Sequence, residues 1–209
     1  VMTLRAGSGQ NRRWVVALLL QHWGSGLLMV LAGFLMLGFG LMVSTDVLSF
    51  DWLVLKNTDV KLEYATLIFF LLLFGFAIRM PLFPFHAWLP VLAEQGTVAS
   101  VGIFLVSLKL GIYATMRFLI PLLPEVAEHW AWFVVTMALI SIFYGALLAL
   151  MQINFRRLLA FAIISQTGLI VIGLFDFNTY GMEGSIILSV SFGLATAGML
   201  LSLGMIYKR

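Results

Sequence analysis

Arg79 and Lys109 each carry a full charge inside a run that is otherwise apolar. A charge at the centre of a bilayer costs roughly 3 kcal/mol even on the most lenient scales, so such residues face a bundle interior or a wet cavity. Their chemistry differs. A lysine can release and regain a proton when its surroundings change, which suits proton carriage, whereas an arginine keeps its charge and can only hold an anion or set a field.

Arg79 precedes Pro81, Pro84 and Pro90 in the stretch "GFAIRMPLFPFHAWLP", Gly75 to Pro90. Proline removes a backbone donor and clashes with the preceding turn, so a helix must break there. Broken helices at membrane depth line cavities, where their freed backbone groups form ion sites. The Pro81 and Pro84 break and Arg79 are therefore expected in one polar pocket; the alternative is an arginine that snorkels from a helix ending at Pro81. Lys109 lies about twelve residues into "TVASVGIFLVSLKLGIYATMRF", roughly 18 Å along a helix and too deep for easy snorkelling. Its plainer role would be pairing with a carboxylate or with carbonyls. His86 follows the break and could relay protons, cap the chain or sit at the interface. Gln166, together with Ser107, Ser141, Ser165, Thr167 and Thr196, could hold a water chain reaching Lys109, or simply hydrogen-bond between helices.

No Ser-His-Asp arrangement, glycine-rich phosphate loop or metal-ligand spacing is present. Cysteine is absent altogether, which removes thiolate metal sites and iron–sulphur ligation. Any redox centre must then sit on a partner.

The elements that would position these residues follow from composition. At 62% hydrophobic and 10% charged, with a mean hydropathy of +1.08, the chain is too apolar for a water-soluble globule. Its apolar runs are continuous and do not alternate at period two, which excludes a barrel. The fold class expected is all-α, a polytopic transmembrane helix bundle of six spans. These run over Trp14 to Val43, Tyr64 to about Ala93 with the proline break inside, Thr97 to Leu119, Trp130 to Met151, Leu158 to Phe175, and Glu183 to Tyr207. Residues 1–209 form a single transmembrane domain. Only Ser44 to Glu63 makes a long polar connection. Trp14, Trp52, Trp88, Trp130 and Trp132 fall near span ends, as interfacial anchors do.

Loop charges orient the bundle. Arg5, Arg12, Arg13, Arg156, Arg157, Lys208 and Arg209 share one side with a single acid, Glu94. The other side holds Asp46, Asp51, Asp59, Glu63, Glu125, Glu128, Asp176 and Glu183 against Lys56, Lys61 and Arg117. Such a split places both ends in the cytoplasm. The net charge of +3 reflects this topology, and nucleic-acid binding is not expected. Val1 to Arg13 lacks a signal-peptide pattern and the chain stops directly after a helix, which suggests a fragment of something longer.

The segments "FAIRMPLFPFHAWLP", "LKLGIYATMRFLIPLLP", "IFYGALLALMQINFRRLLAFAIISQTGLIVIGLF" and "GMEGSIILSVSFGLATAG" resemble, in order, the antiporter-like membrane subunits of respiratory complex I, in the branch of the bacterial NADH:quinone oxidoreductase M subunit. The resemblance implies a full subunit of about fourteen spans, of which this chain covers the sixth to the eleventh. It implies a proton-translocating membrane-arm subunit in a bacterial inner membrane or equivalent energy-transducing membrane. The partners implied are the lipid bilayer and the other membrane-arm and redox subunits. No cofactor is expected in this chain; NADH, flavin, iron–sulphur clusters and quinone are expected on partner subunits. The family's two central lysines fall on Arg79 and Lys109, and two histidines of its polar axis on Gln166 and Phe192. Its "PDAH" reads "PVLA" from Pro90 to Ala93. Proton translocation with Lys109 as the protonatable centre is one reading. A non-pumping coupling or scaffold paralogue in a membrane hydrogenase, Mrp-type antiporter or inorganic-carbon uptake complex is the other.

Overall fold

The computed structural model describes residues 12–46, 48–57, 62–95 and 108–206, which are all-helical with no strand. In chain order the helices are α1 (Arg12–Thr45), α2 (Trp52–Lys56), α3 (Leu62–Arg79), α4 (Trp88–Gln95) and α5 (Lys109–Ala114). A π-helical turn, Thr115–Leu119, continues α5 into α6 (Ile120–Leu122), and α7 (Pro124–His129), α8 (Ala131–Leu150), α9 (Phe155–Leu174) and α10 (Thr179–Ile206) follow.

Four of these helices are long and apolar enough to cross a membrane: α1 over Arg13–Val43, α8, α9, and α10 over Thr179–Ser202. A shorter apolar helix, Tyr64–Arg79, lies within α3. The protein is a polytopic helical membrane protein. Residues Thr97 to Ser107 of the expected third span lie outside the described residues, and with them the depth assigned to Lys109.

Helix ends depart from the hydropathy boundaries where capping decides them. The α9 helix starts at Phe155 because the Asn154 side chain accepts a bond from Arg156 N at 3.0 Å, which draws Arg156 and Arg157 into the first turn. At the start of α10 the Asn178 side chain accepts from Tyr180 N at 2.7 Å, so the helix begins at Thr179, ahead of the apolar run expected from Glu183. Within the polar connection, Asp51 caps the short α2, whose Leu55 is buried. Trp52 of α2 donates from Nε1 to Arg117 O at 3.3 Å, and the Arg117 guanidinium stacks 4.1 Å over its ring.

Glycine lets the long helices approach closely. A Cβ at Gly168 on α9 would stand 2.5 Å from Ala138 O on α8, and one at Gly145 on α8 would stand 2.7 Å from Ser165 N. Between α1 and α3, a Cβ at Gly75 would meet Gly26 O at 2.9 Å. The polar residues expected inside spans mostly satisfy themselves on carbonyls. Thr167 donates to Ile163 O and Thr196 to Phe192 O within their own helices, while Ser165 on α9 donates to Ile142 O on α8.

The buried side chains form two apolar clusters. One gathers α3, α7, the inner face of α8 to Ala138, and α9 from Ile170 onward; the other gathers Trp88, Leu89 and Leu92 of α4, Leu108, and α9 from Leu159 to Ile164.

Candidate functional site

The break between α3 and α4 is crossed by several hydrogen bonds to its backbone. Phe76 O accepts from Met80 N at 2.8 Å, Ala77 O from Leu82 N at 3.0 Å, and Ile78 O from the Trp88 indole at 3.0 Å. Further on, Phe85 N donates to Leu82 O and Leu89 N to His86 O. Across the bundle, Ser141 Oγ on α8 accepts from Phe83 N at 2.8 Å. Pro81, Met80 and Leu82 are buried while Pro84 is exposed, and the Phe83–Pro84 bond is cis. Trp88 is therefore no interfacial anchor: it is fully buried and serves the backbone of the break. Ser141→Ala should leave Phe83 N–H unpaired beside a buried site. We expect it to destabilise the full-length subunit by about 1–3 kcal/mol, measured as a lowered unfolding midpoint in denaturing detergent.

Arg79 ends α3 half-buried. Its guanidinium lies 3.9 Å over the Trp23 ring of α1, and Trp23 meets Trp88 edge to face at 5.7 Å. Alongside runs a groove of about 360 Å³ lined by Trp23, Gly26, Val30, Gly75 and Gly111 among others. Apart from Arg79 the described lining of this groove is apolar, and the cation is met by an aromatic face. No carboxylate lies within ion-pair distance of Arg79 among the described residues; Arg157 and Glu94 pair elsewhere, at 3.7 Å.

Lys109 begins α5 and points elsewhere. Gly111, two residues on, turns its face to the break, where a Cβ would stand 2.8 Å from Met80 N. Residues two apart on a helix diverge by about 200°, so Lys109 faces away from α3. It meets α10: its Nζ stands 5.4 Å from the Phe192 ring centroid, and a Cβ at Gly193 would lie 3.4 Å from its Cε. Arg79 and Lys109 thus flank α5 on opposite sides.

His86 is buried, stacked on Phe83 at 5.6 Å and set edge-on to Tyr144 at 4.9 Å. Its Nδ1 has no hydrogen-bond partner among the described residues. Gln166 is half-buried on α9 and makes no hydrogen bond among the described residues. No described contact joins Gln166 or His86 to Lys109.

What they share is a place between the two apolar clusters. Along α9 the two apolar clusters leave an interval between Ile164 and Ile170, and Gln166 and Thr167 occupy it. On α5 the interval runs from Leu108 to Ile112 and holds Lys109; between Leu82 and Trp88 it holds His86. Ser141 and Tyr144 fill it on α8 between Ala138 and Leu148. Arg79 borders it, reaching from the end of one cluster to Trp23 at the edge of the other. Together these intervals between the two apolar clusters form a waist.

Sequence reasoning missed Trp23 and Gly111. Trp23 lies far ahead of its cation in the chain and mid-helix, where tryptophan reads as ordinary core. Gly111 looks like any small residue of a packed helix. Among the described residues no group of three or more His, Asp or Glu could hold a metal.

The family model described as "NADH:quinone oxidoreductase/Mrp antiporter, TM" matches residues 13–209. NADH-quinone oxidoreductase subunit M of Buchnera aphidicola subsp. Acyrthosiphon pisum (strain APS) is 38% identical over 185 residues, covering 87% of this chain and 36% of that protein. A chain of respiratory complex I from Thermus thermophilus with bound NADH superposes with a TM-score of 0.90 at 29% identity, over 100% of this chain and 44% of that one. A chain of the Mrp complex from Dietzia sp. DQ12-45-1b shares the fold, with a TM-score of 0.78 at 21% identity over 93% of this chain and 35% of that one. The chain spans about a third of the length of the curated relatives it matches. With nearly its whole length matched, the chain belongs to the NADH:quinone oxidoreductase/Mrp antiporter family of transmembrane subunits.

Proposed function

We propose that this chain is part of a proton-translocating membrane-arm subunit in a complex I-like NADH:quinone oxidoreductase. What supports the reading is a lysine, a buried histidine and a glutamine in the intervals between two apolar clusters, in a chain of this family. Among the described residues no carboxylate pairs with Lys109, and intramembrane ionisable groups of this kind mark ion pathways.

In this reading Lys109 takes up and releases the proton, Arg79 is a fixed cation, and water with Gln166 bridges the waist. His86 lies along the same path. Six spans are read, the second broken at Pro81 and Pro84, within a subunit of about fourteen spans. Both ends of the segment face the cytoplasm across a bacterial inner membrane or its equivalent. NADH, flavin, iron–sulphur clusters and quinone belong to partner subunits, which supply the electron transfer that drives the movement.

A second reading, a coupling or scaffold paralogue in a membrane hydrogenase, Mrp-type or carbon-uptake complex, is favoured by one observation. Lys109 faces the Phe192 ring, which can neither accept nor donate a proton. The test is purification of the native full-length subunit in gentle detergent, with mass spectrometry of its partners and an optical spectrum. Recovery with NADH-oxidising and quinone-binding subunits, and with flavin and iron–sulphur absorbance, is the expected result. Recovery with antiporter or carbon-uptake subunits and no redox centre would replace the first reading with the second.

A further inference from the structure

We propose that Trp23 is the positioning residue for Arg79, so that α1 sets where the fixed cation at the α3 break stands. The inference deepens the reading above and rests on it for the consequence to proton movement; the contact itself does not.

Four observations converge. The guanidinium lies 3.9 Å over the Trp23 ring, well inside the distance at which a cation feels the ring's negative face. A guanidinium is planar and weakly hydrated, so it stacks on an indole where an ammonium would not lie flat. Trp23 is itself braced, edge to face at 5.7 Å, by Trp88, whose Nε1 is tied to Ile78 O one residue before Arg79. The indole, the cation and the backbone of the break therefore form one closed circuit through α1, α3 and α4. Finally, α1 reaches this depth because Gly26 and Gly75 allow its backbone against α3: a Cβ at Gly26 would stand 3.3 Å from Gly75 O. Small residues bring the indole in, and the indole meets the cation among described groove walls that are otherwise apolar.

The consequence is mechanical. Arg79 cannot swing into the groove or toward the waist without leaving the Trp23 face, so any shift of α1 against α3 moves the charge with it. A fixed cation whose place depends on helix packing is a field that conformation can tune, where a titrating lysine would be tuned by protons.

The test is a double-mutant cycle in the full-length subunit, with Trp23→Leu, Trp23→Phe, Arg79→Gln and the Trp23→Leu/Arg79→Gln pair. Two readouts are taken. The first is unfolding of the purified subunit in denaturing detergent. Trp23→Leu should lower the folding equilibrium constant by about 2- to 30-fold more with Arg79 present than in the Arg79→Gln background, the range expected for a cation over an indole. Trp23→Phe, which keeps an aromatic face, should recover most of that difference. Additive losses, or a Phe variant no better than Leu, would overturn the proposal and leave Trp23 a packing residue. The second readout is protons moved per electron in vesicles holding the assembled complex. The same non-additive pattern there extends the positioning role to proton movement. Coupling in stability with proton movement unaltered in every variant would uphold Trp23 as the residue that positions Arg79 and count against the proton-translocating reading instead.

Discussion

Replacing Lys109 by Ala is expected to cut proton flux through the subunit by about tenfold or more while leaving electron transfer in the partners largely intact, since losing a positioned proton carrier typically costs about 10²–10⁴ in rate. The argument rests on where the amine stands. Its stem lies against α10 at Gly193, its Nζ stands 5.4 Å from the Phe192 ring, and no carboxylate among the described residues neutralises it. An aromatic face steadies an ammonium without accepting its proton. Among the described residues, then, Lys109 meets an aromatic face and no acceptor for its proton. The Lys109→Arg variant separates charge from titration: it keeps a cation against Phe192, yet it will not release a proton. Both variants should therefore fail alike. The measurement is acidification of sealed vesicles against NADH oxidation, with assembly checked by native gel. Full proton movement in the Arg variant would mean that charge alone matters at this position, and full movement in both would remove Lys109 from the pathway.

Much of this was legible from residue types. The apolar runs gave the long helices because nothing but a helix satisfies its own backbone in lipid, and the proline cluster after Arg79 located the end of α3. The two cations stood out because charge in apolar sequence is rare. What sequence could not reveal was direction. Lys109 and Gly111 are neighbours in the chain, yet one turns to α10 and the other to the break. Trp88 reads as an interfacial anchor by its place near Pro90, but its indole closes the backbone of the break instead. The helix starts at Asn154 and Asn178 were missed for a local reason: hydropathy marks where a run becomes apolar, while a side-chain cap marks where the helix begins. Contacts such as Trp23 with Arg79 are long-range, and single-sequence periodicity carries no information about them.

Gly111→Ala is the structural change expected to reach the waist most directly. A Cβ there would stand 2.8 Å from Met80 N and 3.2 Å from Arg79 C, both backbone atoms of the break, so no side-chain rotation can relieve the contact. Either α5 moves away from α3 or the turn at Met80 deforms. Both movements disturb the same two things, because α5 carries Lys109 on its opposite face and Met80 N is bonded to Phe76 O. Overpacking of this kind costs about 1–3 kcal/mol, and here it falls where the backbone bonds of a broken helix already leave little slack. Gly24 supplies the control, since a Cβ there meets nothing within 4 Å. Gly24→Ala on α1 should leave the unfolding midpoint of the subunit unchanged or slightly raised, as alanine favours helix over glycine. Gly111→Ala should lower both that midpoint and proton flux. If the two variants behave alike, the close approach of α5 to the break is not what holds the waist together, and the separation of its two cations by a single helix has no energetic consequence.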